Sequence, residues 1–476
     1  MKEGYVPQDQ RKKILLIADD IRLPSGVGNV GKDIVINTCH RYNWVNVGGA
    51  IKHPEKGKRF DLSKDTNKEA GIEDSSVIVY PNDGYGDATF LRNMLQIEKP
   101  DAIFLITDPR YFTWLFQIEN EIRKSIPIVY LNIWDDYPAP AYNKSFYESC
   151  DALLGISKQT VNINKLVLGD KAKNKIIDYV PHGISTKYYY PLDHTDSEVK
   201  NMRKQLFGDK EVAFSLLFNS RNIRRKQIPD TMVAWKNFTE QLPKSEADKC
   251  FLVIHTQPKD EAGTDLYAVR NYLFGEDYKN IIFSTSRIPI NLMNLLYNSV
   301  DGQILLSSNE GWGLSLTEAM VTGHPIIANV TGGMQDQMRF EDENDNWFTP
   351  DADVPSNHTG KYKKHGKWAF PVFPTNRSLQ GSIPTPYIWD DRCSAEDAAK
   401  QIMKLYNMSP EERKACGMAG YEWATSGEAG FTASKMGERV IENLDKLFET
   451  WVPRSNYEFI NSNEYVEPVV NHKLFY

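Results

Sequence analysis

The strongest constraint on the fold is a repeated alternation. Short, almost continuously apolar runs are followed by polar or turn residues and then by an amphipathic stretch. Early in the chain such runs lie at residues 13–18 (KILLIA), 77–80, 102–106, 126–131, 152–156 and 176–180. An apolar run without alternation reads as a strand buried on both faces, the habit of parallel sheets covered by helices. Amphipathic segments at 87–96 and 111–124 supply such covers. The pattern restarts with runs at 212–218, 251–255, 281–284, 303–306 and 325–328 and helical periods near 230–242, 264–274, 291–298 and 313–322. Between the two sets, residues 182–196 (HGISTKYYYPLDHTD) have neither period and read as an interdomain linker. Two doubly wound α/β domains are expected.

The 476 residues leave room for that, at roughly 150–200 per domain. The expected division is 1–188, then 189–430, then a C-terminal helix and tail at 431–476 packing on the first domain. Between residues 340 and 392 the periodicity fails over a stretch longer than a structureless connection usually runs, so this segment reads as an irregular insertion. Helical periods return at 395–406, 410–425 and 433–451. With 41% hydrophobic and 25% charged residues, disorder and coiled coil are excluded. No apolar run approaches the roughly 18–20 residues that span a bilayer, and MKEGYVPQDQRKK lacks the apolar stretch of a signal peptide, so a cytoplasmic protein is expected. Five widely spaced cysteines, an odd count, argue for reduced packing residues over a disulfide framework or a zinc site. The net charge of −7 excludes a surface that is cationic overall, so any anion site must be local.

The chemistry concentrates in residues 308–328, SNEGWGLSLTEAMVTGHPIIA, which read as a strand end, a glycine turn, a helix and a new strand. A helix opening at Gly311 and Gly313 offers free backbone N–H groups and a positive dipole end to a diphosphate, and glycine lets the ligand come close. Glu310 at the turn and Glu318 on the helix would bracket a nucleotide sugar; on spacing alone they read equally well as a capping glutamate and a solvated helix face. In residues 218–226 (FNSRNIRRK), Arg221 and Lys226 follow a strand, and a solvated basic turn is the plainer reading of the cluster. Residues 330–337 (VTGGMQDQ) place Gly332 and Gly333 after the next strand, with Asp336 at a helix start or a plain turn. Gly26 and Gly28, in 23–30 (LPSGVGNV) after the first strand, form only a bare Gly-x-Gly.

Glu310, Gly311, Trp312, Gly313, Leu314, Glu318, Ala319, Met320, Gly323 and Pro325 together resemble the signature of retaining glycosyltransferases of the GT-B fold, specifically family 4. The resemblance implies two Rossmann-like domains facing each other across a cleft, with the last helix crossing back. It implies transfer of a sugar from a nucleotide-sugar donor to an acceptor hydroxyl, with no metal and no cofactor. In that reading Glu310 contacts the donor sugar and Glu318 the ribose. Arg221 and Lys226 neutralise the phosphates. Gly26, Gly28, Gly311, Trp312, Gly313, Leu314, Gly332 and Gly333 surround the donor. The family's glycine after the lysine is Gln227 here. Its His-Asp after a first-domain strand is Trp134-Asp135, which leaves Asp135 as a candidate for sugar or acceptor contact or, equally, a helix cap. His182, in Pro-His-Gly, reads as hinge structure.

Asp135 with Asp136, Asp390 with Asp391, and the run 341–345 read as solvated loops, not metal ligands. In 358–370 (HTGKYKKHGKWAF), Lys361, Lys363, Lys364 and Lys367 alternate with Tyr362 and Trp368, the composition of a surface that stacks bases, or of a plain basic loop. The acceptor is thus expected to be a saccharide or a hydroxymethylated base in viral DNA, contacted by Lys361, Lys363, Lys364 and Trp368. A sugar-nucleotide-binding protein or an epimerase of the same fold is the alternative. The sugar, the nucleotide and the oligomeric state are not written in the sequence.

Overall fold

A computed structural model of the chain describes residues 4–351 and 356–455; residues 456–476 of the expected tail lie outside the described residues. The first sheet holds β1 (Lys13–Asp19), β2 (Asn43–Gly49), β3 (Phe60–Asp61), β4 (Val77–Pro81), β5 (Ala102–Ile106), β6 (Ile128–Asn132), β7 (Ala152–Gly155) and β8 (Ile176–Tyr179). Their order is β3-β4-β2-β1-β5-β6-β7-β8, parallel except for β3. The second holds β9 (Phe214–Asn219), β10 (Cys250–His255), β11 (Ile281–Ser284), β12 (Gly302–Leu305), β13 (Ile326–Asn329) and β14 (Ala369–Val372), in the order β11-β10-β9-β12-β13-β14 and parallel throughout. Each order reverses at one place, beside β1 in the first sheet and beside β9 in the second. Loops leaving the carboxyl ends of strands there diverge and open a crevice.

The apolar runs become central strands because both faces are covered: Ile14, Leu15, Leu16, Ile17 and Ala18 are all at most 1% exposed. β2 was hidden in the sequence by Asn46, whose side chain is used internally. Its Oδ1 accepts from Ile21 N at 3.1 Å and its Nδ2 donates to Leu16 O at 3.3 Å. The expected helix at 111–124 is instead two short ones, Thr113–Phe116 and Glu119–Ile122.

The segment 340–392 is a correction. It contains β14, the edge strand of the second sheet, and a hairpin of β15 (Asn376–Ser382) and β16 (Thr385–Arg392). β14 was illegible because Pro371 breaks a strand pattern, which an edge strand tolerates. β15 is mostly solvent-facing and β16 mostly half-buried, and neither shows an apolar alternation.

The last helix, Ala433–Thr450, opens on Thr432, whose side chain accepts from Lys435 N, and buries Met436, Val440, Leu444 and Leu447 on one stripe. It crosses back to the first domain, where Asp445 pairs with Arg41 at 2.9 Å and accepts from Tyr42 Oη at 2.5 Å. Gly437 sits against Asn37 so closely that a Cβ would lie 2.6 Å from the asparagine side chain. Cys39, Cys150, Cys250 and Cys416 are buried packing residues. Among the described residues no helix is long and apolar enough to cross a membrane.

Candidate active site

A cavity of about 940 Å³ lies between the two sheets at the carboxyl ends of β1, β6, β9 and β12. Loop 306–313 leaves β12 and ends on Gly313, whose φ of +89° suits glycine and starts the helix Leu314–Val321. The first backbone N–H groups of that helix lack partners within it. Leaving β9, the chain makes a tight turn at Arg224–Lys226 that is tied to the same loop. Ser308 N donates to Arg225 O at 2.8 Å, and Arg225 Nη1 donates to Asn309 O at 2.9 Å.

These two loops build an ion cluster in which Glu310 and Lys226 are buried and Arg225 is half-buried. Arg225 Nη1 lies 3.0 Å from Glu310 Oε2, and Lys226 Nζ bonds the same oxygen. Glu310 and Lys226 are 7% and 8% exposed. Burial alone would raise the Glu310 pKa, but Arg225 and Lys226 outweigh it and hold the carboxyl at about 2. Burial lowers the Lys226 pKa against the pull of Glu310. Asp135 reaches this cluster from the loop after β6; burial pushes its pKa up, Arg225 pulls against that, and the net is a rise.

The residue after Lys226 explains a sequence departure. Gln227 has φ +50°, a left-handed conformation that glycine adopts without strain. Glu318 lines the other part of the cavity, where Tyr297 Oη donates to its Oε2 at 2.5 Å and Asn219 Nδ2 approaches at 3.5 Å. Burial raises its pKa, and the bonds from Tyr297 and Tyr189 only partly offset this.

No protein-family model and no curated protein matches the chain. Solved structures do match. The sucrose-phosphate synthase of Thermosynechococcus elongatus superposes with a TM-score of 0.64 at 14% identity, over 92% of this chain and 100% of the other. The Anabaena protein HepE, in complex with UDP and glucose, gives 0.61 at 14% identity over 92% and 100%. The E. coli trehalose-6-phosphate protein bound with UDP-2-fluoro glucose gives 0.62 at 12% identity over 93% and 100%. The chain has the GT-B fold.

The residues expected in the GT-B cleft are not all placed alike. Arg221 lines the cavity, but Asp260 takes its guanidinium at 2.8 and 3.2 Å, and its side chain is 70% exposed at the rim. Arg225, its neighbour in the basic turn, is the arginine that meets Glu310. Gly26, Gly311, Gly313 and Leu314 line the cavity. Gly26 faces Leu314 across it, 3.4 Å from a built Cβ, and a Cβ on Gly311 would lie 2.7 Å from Ile133 O of the opposite domain. Gly28 instead packs in its own turn, donating N–H to Ser25 Oγ at 3.0 Å. Gly332 and Gly333 lie behind the site: Cβ atoms there would fall 2.0 Å from Glu310 O and 2.1 Å from Gly311 O. They hold the Glu310 loop in place. Trp312 touches the cavity, yet its ring is buried, donating Nε1–H to Thr317 Oγ1 at 2.9 Å and meeting Phe431 edge-on.

The acceptor residues expected in 358–370 are not in the cleft. Trp368 is 6% exposed, stacked on Trp423 with centroids 5.0 Å apart, and donates to Gln337 O. Lys361 pairs with Glu343 and Lys364 with Glu341 and Asp345, so the acidic run 341–345 neutralises them. Lys363 lies over Phe373. Sequence reasoning also passed over His182 as a hinge. It is 7% exposed, lines the cleft, and its Nδ1 has no hydrogen-bond partner among the described residues. Burial lowers its pKa to about 4, so the ring is neutral at pH 7. Its one signal was a polar residue between apolar Val180 and Ile184 at the domain crossing.

Two acidic pairs expected in solvent are also corrected. Asp136 and Asp391 are both fully buried, and Asp390 is 7% exposed. Asp136 Oδ1 accepts from Tyr137 N and Gln159 Nε2 at 2.8 and 2.7 Å. Thr331 Oγ1 lies 3.1 Å from Asp136 Oδ2 and 2.9 Å from Asp391 Oδ2. One hydroxyl proton cannot serve two carboxylates, so the second contact needs a proton on one of them. Burial and the Asp391 charge raise the Asp136 pKa well above the usual range; burial also raises that of Asp391, against bonds from Thr331, Ser356 and Asn357. A carboxyl whose folded pKa exceeds its unfolded one, about 3.9, stabilises the fold at low pH and loses that contribution as pH rises through the folded value. The melting temperature of the wild type is therefore expected to fall from pH 5 to pH 8 more steeply than that of Asp136→Asn. Parallel profiles for the two proteins would remove the proton assigned to Asp136 or Asp391.

Proposed function

We propose that the protein is a glycosyltransferase that moves a sugar from a nucleoside-diphosphate sugar to an acceptor hydroxyl. The observation that carries this reading is the Arg225–Glu310–Lys226 cluster, with Glu310 and Lys226 buried and Arg225 half-buried, beside the open N-terminus of Leu314–Val321. A donor diphosphate placed there meets two cations and free N–H groups, which stabilise charge growing on the leaving diphosphate as the bond to the sugar anomeric carbon breaks. Glu310, released from Lys226 when the diphosphate takes that cation, faces the sugar; Glu318 is placed for ribose hydroxyls. The acceptor oxygen bonds to the anomeric carbon, and its proton passes to the departing phosphate oxygen, as in the retaining reaction implied by the sequence resemblance. The complexes of HepE with UDP and glucose and of the E. coli protein with UDP-2-fluoro glucose support the donor class. Asp135 and His182 line the first-domain wall, where they would contact hydroxyls of the sugar or the acceptor. A saccharide acceptor is favoured over DNA, because the loop that suggested DNA has its ring buried and two of its lysines paired. Domain closure over the cleft would keep water from the donor.

Ligand that binds only the folded state raises its stability by about 2.7 kcal/mol at one hundred times Kd. UDP or UDP-glucose is expected to raise the melting temperature, and Glu318→Ala is expected to remove more than half of that rise. A panel of nucleotides and nucleotide sugars that leaves the melting temperature untouched would sink the donor site.

A further inference from the structure

A second cavity, of about 830 Å³, lies on the second domain, and none of the residues lining it belongs to the donor cleft. Its size falls within the roughly 300–1,000 Å³ of small-molecule sites. One wall is the segment leading into β14, and the other is formed by the helices Ala395–Tyr406 and Pro410–Ala424. The entering segment is pinned: Gly366 N donates to Met338 O at 2.9 Å, Ala369 N to Gly366 O at 3.1 Å, and Cys416 Sγ to Lys367 O at 3.0 Å. The backbone at Lys367 is therefore set by the fold.

The lining has two chemistries. Phe370, Phe373 and Met408 make an apolar floor. Lys363, Lys367 and Lys404 stand around it, and among the described residues none of the three has a carboxylate within 4.0 Å. This sets them apart from Lys361 and Lys364, a few residues away, which are neutralised by Glu343, Glu341 and Asp345. The acid in the lining is Glu412, whose carboxylate already accepts from Ser409 N at 2.7 Å in a helix cap. A chain with a net charge of −7 thus keeps three unpaired cations around one concave apolar surface. An extended polyanion would also meet the acidic run 341–345 beside the cavity, which disfavours it and favours a compact anion.

We propose that this cavity is a second binding site, for a small organic phosphate whose apolar ring lies on Phe373 and Met408 and whose phosphate meets Lys363, Lys367 and Lys404. The proposal stands apart from the transferase reading, since it uses no residue of the donor cleft. A fluorescent aryl phosphate, 4-methylumbelliferyl phosphate, tests it by equilibrium titration of the full chain. Saturable one-to-one binding is expected that is unchanged by saturating UDP. It should weaken at least tenfold in the Lys367→Glu/Lys404→Glu double variant, whose melting temperature should match wild type because both side chains are exposed. Inorganic phosphate and uncharged 4-methylumbelliferone should each bind at least tenfold more weakly. Absence of binding, displacement by UDP, equal binding to the double variant, or equal binding of inorganic phosphate would each overturn the site. Cosedimentation with phosphatidic acid vesicles that the double variant loses would assign the lysines to a membrane headgroup and overturn a soluble ligand.

Discussion

Lys226→Met is expected to lower the rate of sugar transfer by about 10²–10³, the usual effect of removing one preorganised donor aimed at developing negative charge. Met keeps the length and apolar stem of lysine and removes its charge. Glu310 then keeps Arg225 at 3.0 Å, so the loop should stay in place while the leaving diphosphate loses its buried cation. The readout is release of nucleotide from a nucleotide sugar, with and without acceptor, alongside binding of the free nucleotide. Arg225→Ala is expected to cost more than Arg221→Ala, because Arg225 reaches Glu310 whereas Arg221 is held by Asp260 at the solvent edge. A Lys226→Met enzyme within fivefold of wild type would refute the assigned role of the cluster.

Trp312→Ala is expected to destabilise the fold by about 3–5 kcal/mol, the range for truncating a buried Trp or Phe. The ring is 2% exposed, its N–H bonds Thr317 Oγ1, and Thr317 in turn donates to Gln337 Oε1 at 2.8 Å. Removing it opens a cavity under the Glu310 loop and strips an aromatic partner from Phe431, where the chain turns back toward the first domain. For domains of this size 1 kcal/mol corresponds to about 2–4 °C, so the melting temperature should drop by roughly 6 °C or more. Nucleotide binding should weaken with it. A variant that melts with the wild type would show that Trp312 serves the ligand and not the loop.

Much of this architecture was legible in the sequence for a local reason. A strand buried on both faces must be continuously apolar, and a covering helix must be amphipathic, so eleven of the fourteen sheet strands announced themselves; only β2, β3 and β14 did not. β2 failed because Asn46 is satisfied inside the sheet, and β14 because Pro371 sits on an edge. The glycine turn with Glu310 and Glu318 stood out through its resemblance to the family signature, because by residue type alone it suits a capped, solvated helix equally well.

What the sequence determined by itself, then, was the pair of parallel sheets; the loop at 310–318 and the lysine at 226 were singled out by the family resemblance, since their residue types alone also suit a capped helix and a solvated basic turn. The partners were decided by tertiary structure alone. Arg225 meets Glu310 across 85 positions of chain, and Asp136 meets Thr331 across 195. No local period encodes such pairs. Whether an aspartate is solvated or buried, whether a tryptophan stacks on a ligand or on Trp423, and which of the neighbouring cations meet Glu310 all depend on what the opposing domain or strand brings to the same point. Periodicity records which face of an element is buried, and only the closed fold sets what it is buried against.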